Sequence, residues 1–186
     1  MSFDSEFEKV VMIEGGYSDH PSDSGGKTMY GITEAVARAH GYVGPMNQMP
    51  LEFAKRVYKT AYWDINRLDE VSAISPTIAR EMFDTGVNMG TGRAATFLQR
   101  ALTRLNRRGR DYPDLAVDGQ VGTITTTALR TFLNARGPGI RAAESERVLL
   151  ELLNCQQGER YLQITETADK NEDFLYGWVL QRVVRR

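Results

Sequence analysis

Helical spacing of apolar residues is the feature that most limits what this chain can fold into. In successive segments, apolar side chains recur at helical intervals between a Ser, Thr or Pro at the start and a Gly at the end. The pattern predicts helices over residues 91–106, 123–135 and 144–166, and a last helix that starts near Asn171. The sequence therefore predicts a mainly α protein with at most a small sheet.

The N-terminal helix is predicted to end on an acid. Phe7, Val10 and Glu14 fall on one helical face, and Gly15 begins a glycine pair that ends the helix. The stretch that follows is rich in Gly, Ser, Asp and Pro, which predicts a loop with a short hairpin at KTMYGIT. Glu14 is thus expected beside a loop, on the face that its helix buries.

This position favours a carboxyl group that keeps its proton. Partial burial disfavours the charged carboxylate of Glu14, and the negative end of the helix dipole does the same, so both effects raise the pKa. A glycosidase uses such a protonated acid to protonate the oxygen of a leaving sugar. From the spacing alone, however, the favoured interpretation is a surface glutamate whose carboxylate reaches solvent.

Asp23 offers a second carboxylate across the glycine-rich loop from Glu14. Facing Glu14 across a sugar, it would hold the water that attacks the anomeric carbon, and Thr28 would hydrogen-bond the same water. Asp23 also lies within PSDSGG, where aspartate commonly closes an Asx turn. A purely loop-forming role for Asp23 therefore stays open.

Composition and charge argue against several other functions. The net charge is −1, with 8 Lys/Arg and 13 Asp/Glu in residues 1–92 and 15 and 11 in the remainder, so no global field favours nucleic acid. His20, His40 and the single Cys155 lack metal-ligand spacing, and GGKT lacks the first glycine of a phosphate-binding loop. We expect no metal, no cofactor and no nucleic-acid partner.

The two ends of the chain suggest where it is made and what it touches. MSFDSEFEKV lacks the basic start and apolar core of a signal peptide, which predicts synthesis in the cytoplasm. WVLQRVVRR is cationic and amphipathic. Core packing with a charged end is the favoured interpretation, and weak contact with an anionic membrane is the alternative. We expect the protein to be a monomer.

The motif EGGYSDHPSDSGGKTMYGIT resembles the signature of glycoside hydrolase family 108, whose members are N-acetylmuramidases of phage and bacterial origin. VYKTAYWDINRLD and FDTGVNMGTGRAATFLQRAL resemble later segments of that family. DGQVGTITTTAL and FLYGWVLQRV resemble the peptidoglycan-binding region that usually follows. The resemblance therefore extends over almost the whole chain.

This resemblance implies an α+β lysozyme-like fold, a mainly α helical bundle in which a small β-hairpin borders the active-site cleft. It implies a muramidase catalytic region at 1–92 and a helical peptidoglycan-binding region at 93–186, packed together as one compact unit. The reaction would be cleavage of the β-1,4 bond between N-acetylmuramic acid and N-acetylglucosamine, with Glu14 as general acid. Asp23 and Thr28 match the other positions of the broader phage-lysozyme pattern, except that the gap between them is one residue shorter here.

Five further residues are expected to contact substrate: Tyr30, Asp84, Asn88, Tyr161 and Arg182. Tyr30 would lie in the hairpin wall. Asp84 and Asn88, one helical turn apart, would face a sugar cleft, although Asn88 as a simple helix cap is an equal alternative. Tyr161 and Arg182 would contact glycan or stem peptide in the second half.

Three functions remain in competition at this point. A hydrolytic muramidase is favoured, because the glycine-rich loop supplies a second carboxylate. A lytic transglycosylase needs only one acid, and a cell-wall-binding protein needs none. As biological role we expect a phage endolysin, made in the host cytoplasm and acting on periplasmic peptidoglycan after release by another protein; a bacterial secretion-linked muramidase is the alternative.

Overall fold

The computed structural model describes residues 2–18 and 26–184, except for the side chains of Ile13 and Glu14. The described residues form two compact units, Met1–Ile65 and Asn66–Arg186. The first contains α1 (Phe3–Glu14), β1 (Thr28–Met29), β2 (Ile32–Thr33), α2 (Glu34–Ala39) and α3 (Leu51–Tyr58). The second contains α4 (Leu68–Ile74), α5 (Pro76–Met89), α6 (Thr91–Leu105), α7 (Thr123–Asn134), α8 (Ile140–Thr167) and α9 (Glu172–Trp178). The predicted mainly α fold with a small hairpin is confirmed.

Ser2 and Gly15 cap the two ends of helix α1. The Ser2 hydroxyl accepts a hydrogen bond from the Ser5 amide, which pairs one of the free donors of the first turn. Gly15 ends the helix with a positive φ of 77°, which glycine adopts without the strain that a side chain would cause. The predicted apolar face is buried, and Glu6 is buried with it, at 3% exposure. The Glu6 carboxylate accepts a 2.8 Å hydrogen bond from Lys9 Nζ.

Aromatic side chains hold α1 against α3 and the turn after it. The ring of Phe7 meets Tyr58 edge-on at 5.5 Å, and Phe3 meets Trp63 edge-on at 5.4 Å. Trp63 lies in a π-helical turn, Lys59–Trp63, that directly continues α3. Edge-to-face pairs of this kind contribute about 0.5–1.5 kcal/mol each beyond their buried area. The cluster therefore fixes the axis of the helix that carries Glu14.

The two strands form the predicted hairpin. Thr28 pairs with Thr33 and Met29 with Ile32 across a two-residue turn, Tyr30-Gly31. Both turn residues have positive φ, 52° and 74°, which is the pattern of a type I′ turn. Thr33 then caps α2 by accepting a hydrogen bond from the Val36 amide.

The second unit is built around α8, which packs against α5, α6, α7 and α9. The predicted start of α8 at 144 is wrong, because the helix begins at Ile140. Ile140 is 80% exposed, so the first turn has no apolar periodicity that could have revealed it. After α9 the chain continues as a π-helical turn, Val179–Val183. No helix in the described ranges is both long enough and apolar enough to cross a membrane.

Candidate functional site

Glu14 is the last residue of α1, and the backbone there has the predicted form. The Gly15 amide donates a 3.1 Å hydrogen bond to the Val11 carbonyl, which closes the helix directly after Glu14. The last turn of α1 contains no basic residue whose positive charge would stabilise the ionised form of a carboxyl group there. The side chain of Glu14 and the whole of Asp23 lie outside the described residues, so their predicted contacts stay predictions.

A backbone bridge joins the chain after α1 to the hairpin. Ser18 and Thr28 exchange two hydrogen bonds, each 2.9 Å long. Ser18 lies only four residues after Glu14, so the bridge ties the end of α1 to β1. Thr28 is half-buried, and its hydroxyl donates to the Gly26 carbonyl at 3.2 Å, which leaves the oxygen able to accept a hydrogen bond.

Tyr30 lies at the first position of the hairpin turn, and its contact with substrate stays a prediction. Its carbonyl accepts a 3.0 Å hydrogen bond from the hydroxyl of Tyr58, which is 1% exposed. No sequence pattern indicates that the Tyr58 hydroxyl pairs with a residue 28 positions away. Tyr58 therefore contacts both elements of the candidate active site, α1 through Phe7 and the hairpin through Tyr30.

Three of the predicted substrate-binding residues meet in the second unit. Arg182 Nη1 donates a 2.6 Å hydrogen bond to Asp84 Oδ1, although the two residues are far apart in sequence. Gln157, fully buried on α8, donates to Asp84 Oδ2 at 3.4 Å. Asn88 Nδ2 donates to the Asp84 carbonyl at 2.7 Å, a bond typical of a residue near a helix end. Gln157 was missed, because a glutamine at a buried helical position has no distinctive pattern.

Tyr161 lies one turn after Gln157 and is 4% exposed. Its ring stacks on Trp178 at 5.2 Å, and Trp178 stacks on Phe174 at 5.9 Å. Phe174 is 56% exposed and Trp178 is half-buried, so exposure to solvent increases from Tyr161 to the outermost ring of the stack. A substrate contact by Tyr161 itself stays a prediction.

A metal site would need several His, Cys, Asp or Glu side chains close together. Within residues 2–18 and 26–184, no group of three or more His, Cys, Asp or Glu side chains is arranged to hold a metal ion.

Comparison with known proteins assigns both parts of the chain. Residues 7–90 match the family described as Glycosyl hydrolase 108, and residues 93–183 match the family described as Predicted Peptidoglycan domain. The junction between these matches falls within the second structural unit. No curated protein sequence gives a significant match.

A solved structure, that of Brucella abortus SagA, resembles this fold. The two align with a TM-score of 0.60 and 21% sequence identity, over 98% of this chain and 96% of that chain. At this identity the likeness concerns the fold alone. The two family matches make the chain a glycoside hydrolase that acts on peptidoglycan: its N-terminal part belongs to glycosyl hydrolase family 108 and its C-terminal part to the predicted peptidoglycan domain family.

Proposed function

We propose that the protein is an N-acetylmuramidase that hydrolyses the β-1,4 bond between N-acetylmuramic acid and N-acetylglucosamine, with Glu14 as general acid. The observation that carries this proposal is the position of Glu14 at the closing residue of α1, directly before Gly15. The helix end disfavours a carboxylate, and the rings of Phe3 and Phe7 pack the first half of the same helix against Trp63 and Tyr58. A proton held there is available to the glycosidic oxygen.

Asp23 and Thr28 complete the proposed chemistry. Asp23 activates or orients the attacking water, or shapes the loop that holds it, and Thr28 offers a hydroxyl oxygen from β1. The separation of the two carboxyl groups decides the stereochemical course, since about 5–5.5 Å suits retention and about 6.5–9.5 Å suits inversion.

Product analysis tests the proposal directly. Purified peptidoglycan is digested with the wild-type protein and with Glu14→Gln, and the released fragments are identified by mass spectrometry. We expect fragments that end in reducing N-acetylmuramic acid, and a loss of at least about 10²–10⁴-fold with Glu14→Gln. Products with 1,6-anhydro ends would identify a lytic transglycosylase, and binding without any release would identify a wall-binding protein.

For the biological role we propose a phage endolysin, monomeric and released from the host cytoplasm to the periplasmic wall by another protein. Support comes from the resemblance of residues 14–33 to muramidases of phage and bacterial origin. Expression in a Gram-negative host, with and without a membrane pore protein, tests this role. Lysis that requires the pore supports it, whereas lysis of neighbouring cells only would support a secretion-linked muramidase.

The proposed division at residues 92 and 93 can be tested by truncation. A 1–92 fragment lacks α6 to α9. If 93–186 serves wall binding, the fragment should cleave soluble glycan and lose affinity for intact walls.

A further inference from the structure

A groove runs between α6 and α8 in the second unit, with a volume of about 700 Å³. Phe97 and Ala101, both buried, form part of its apolar floor. Asp84, Asn88, Tyr161 and Arg182 are not among the residues that line it. The groove is therefore distinct from the polar cluster around Asp84.

Four arginines line the groove. Arg93, Arg100 and Arg104 follow one another at i, i+7 and i+11 on α6, which places them on one helix face. Arg160 faces the same groove from α8, and Glu159 is the one acid among the described lining residues. The lining thus has a clear excess of positive charge.

These α6 arginines have no acidic partner in the described part of the chain. Arg67, Arg107 and Arg182 of the same unit each pair with a carboxylate, whereas Arg93, Arg100 and Arg104 make no such pair. A row of like charges without counter-charges is repulsive. A ligand with several carboxylates would relieve that repulsion, because guanidinium groups bind carboxylates through charge-assisted, often bidentate hydrogen bonds.

Two buried polar atoms of the groove have no hydrogen-bond partner among the residues that the structure describes. They are the acceptor Gln156 Oε1 and the donor Arg160 Nε, one turn apart on α8. An unpaired buried polar atom is costly, so a ligand that pairs it gains affinity. A peptide bond offers both a donor and an acceptor, which are the two kinds of group that these atoms require.

The length of the arginine row fits a short peptide. From Arg93 to Arg104 the helix rises about 16 Å at ~1.5 Å per residue. An extended peptide of four or five residues spans about 13–18 Å.

We propose that this groove binds the anionic stem peptide of peptidoglycan, with the α6 arginines pairing with its free carboxylates. The inference rests on the proposed function in that it takes peptidoglycan as the polymer. Stem peptides contain γ-linked glutamate and diaminopimelate, which leave carboxylates free along a short chain. The catalytic half would then act on the glycan while this groove recognises its peptide branches.

Calorimetry with full-length Glu14→Gln protein tests the proposal, because that variant is expected to leave the glycan uncleaved. The probe is a disaccharide-tetrapeptide muropeptide at low salt. Adding Arg100→Gln and Arg104→Gln should weaken its binding at least about tenfold, since each lost charge-assisted bond alone can cost that much. Arg130→Gln, an exposed arginine of α7 outside the groove, should leave the affinity unchanged.

Two further ligands sharpen the result. The parent protein should bind a muropeptide with amidated carboxylates about as weakly as the double arginine variant binds the acidic muropeptide. The affinity difference between the parent and the double variant for the acidic muropeptide should shrink with added salt. Equal affinity of parent and double variant for the acidic muropeptide would overturn the proposal, as would tighter binding of poly(glycerol phosphate) than of the muropeptide. Failure of the proposed function would be seen in a different experiment, the product analysis, in which the wild-type protein would release no fragments with reducing N-acetylmuramic acid ends.

Discussion

The hydroxyl of Tyr58 donates a 3.0 Å hydrogen bond to the carbonyl of Tyr30, at the first position of the hairpin turn. The ring of the same tyrosine packs against Phe7 of α1. One side chain thus positions both the helix that ends at Glu14 and the hairpin that carries Thr28.

Tyr58→Phe should therefore reduce catalysis without removing the ring contact. It leaves the Tyr30 carbonyl without its donor, at a cost of about 1 kcal/mol. We expect kcat to fall several-fold with a smaller change in KM, and faster amide exchange in residues 28–33. Tyr176→Phe, at a 79% exposed position, is the control. A Tyr58→Phe protein with wild-type kcat would show that the hydrogen bond does not position the site.

Substitutions of the turn residue Tyr30 should change protein stability and substrate binding in different directions. Its φ of 52° is unfavourable for most side chains but well tolerated by asparagine. Tyr30→Asn creates the Asn-Gly pair that type I′ turns prefer, so thermal stability should stay equal or rise. If the ring lines the sugar cleft as predicted, KM should rise in the same variant. Tyr30→Ile, β-branched at positive φ, should instead destabilise by about 1–2 kcal/mol.

Local sequence signals predicted the end of α1 and the hairpin. Ser75 before Pro76 is a pattern typical of a helix start, and the Ser75 hydroxyl accepts a 3.0 Å hydrogen bond from the Ile78 amide at the start of α5. The Gly pair after Glu14 predicted the end of α1. Such signals work because capping and positive φ involve only neighbouring residues.

Features that depend on distant partners could not be predicted. Buried Glu6 is an acid on an apolar face, and only the packed helix reveals it. The π-helical turn that buries Trp63 has no periodicity of its own. Asp84 and Arg182 were each expected at the substrate, but their mutual pairing depends on where the C-terminal segment packs. The roles of Glu14 and Asp23 come from the motif and stay predictions.

The pair between Asp84 and Arg182 should couple α5 to the C-terminal segment. Its side chains are 27% and 11% exposed, so we expect a coupling free energy of about 1–2 kcal/mol, between surface and buried pairs. A double-mutant cycle with Asp84→Asn and Arg182→Met, followed by urea unfolding, measures it. The exposed pair Arg67–Glu70 is the comparison and should give less. Equal coupling for the two pairs would show that Arg182 does not anchor the segment.

Asp23 should be required for hydrolysis. Asp23→Asn is expected to lower the rate of reducing-end release by about 10²-fold or more if the carboxylate acts as base. Thr28→Val, which removes only the hydroxyl, should have a smaller effect. A mild loss with Asp23→Asn, without any change in products, would instead favour the loop-forming role.

Asp118 should make the second unit more sensitive to acid. The Gln99 side chain donates to Asp118 Oδ1 at 2.8 Å and the Gln120 amide donates to the same oxygen at 2.9 Å, and these bonds hold the pKa of Asp118 below its ordinary value. A carboxyl whose pKa is lowered by folding stabilises the folded state above its unfolded pKa of about 3.9, and that contribution is lost as pH falls through the folded pKa.

Two substitutions at this turn isolate the effect. Gln99→Leu should raise the pKa of Asp118 toward its ordinary value, measured by NMR titration of the carboxyl carbon. Asp118→Asn cannot titrate, yet its side-chain oxygen still accepts from Gln99, so the turn should stay folded. Urea unfolding at pH 7 and pH 3 should therefore show a smaller loss of stability in Asp118→Asn than in the wild type. Asp118→Asn removes the titrating charge but keeps the oxygen that accepts the hydrogen bonds. An identical loss of stability in the two proteins would therefore mean that other carboxylates set the acid sensitivity.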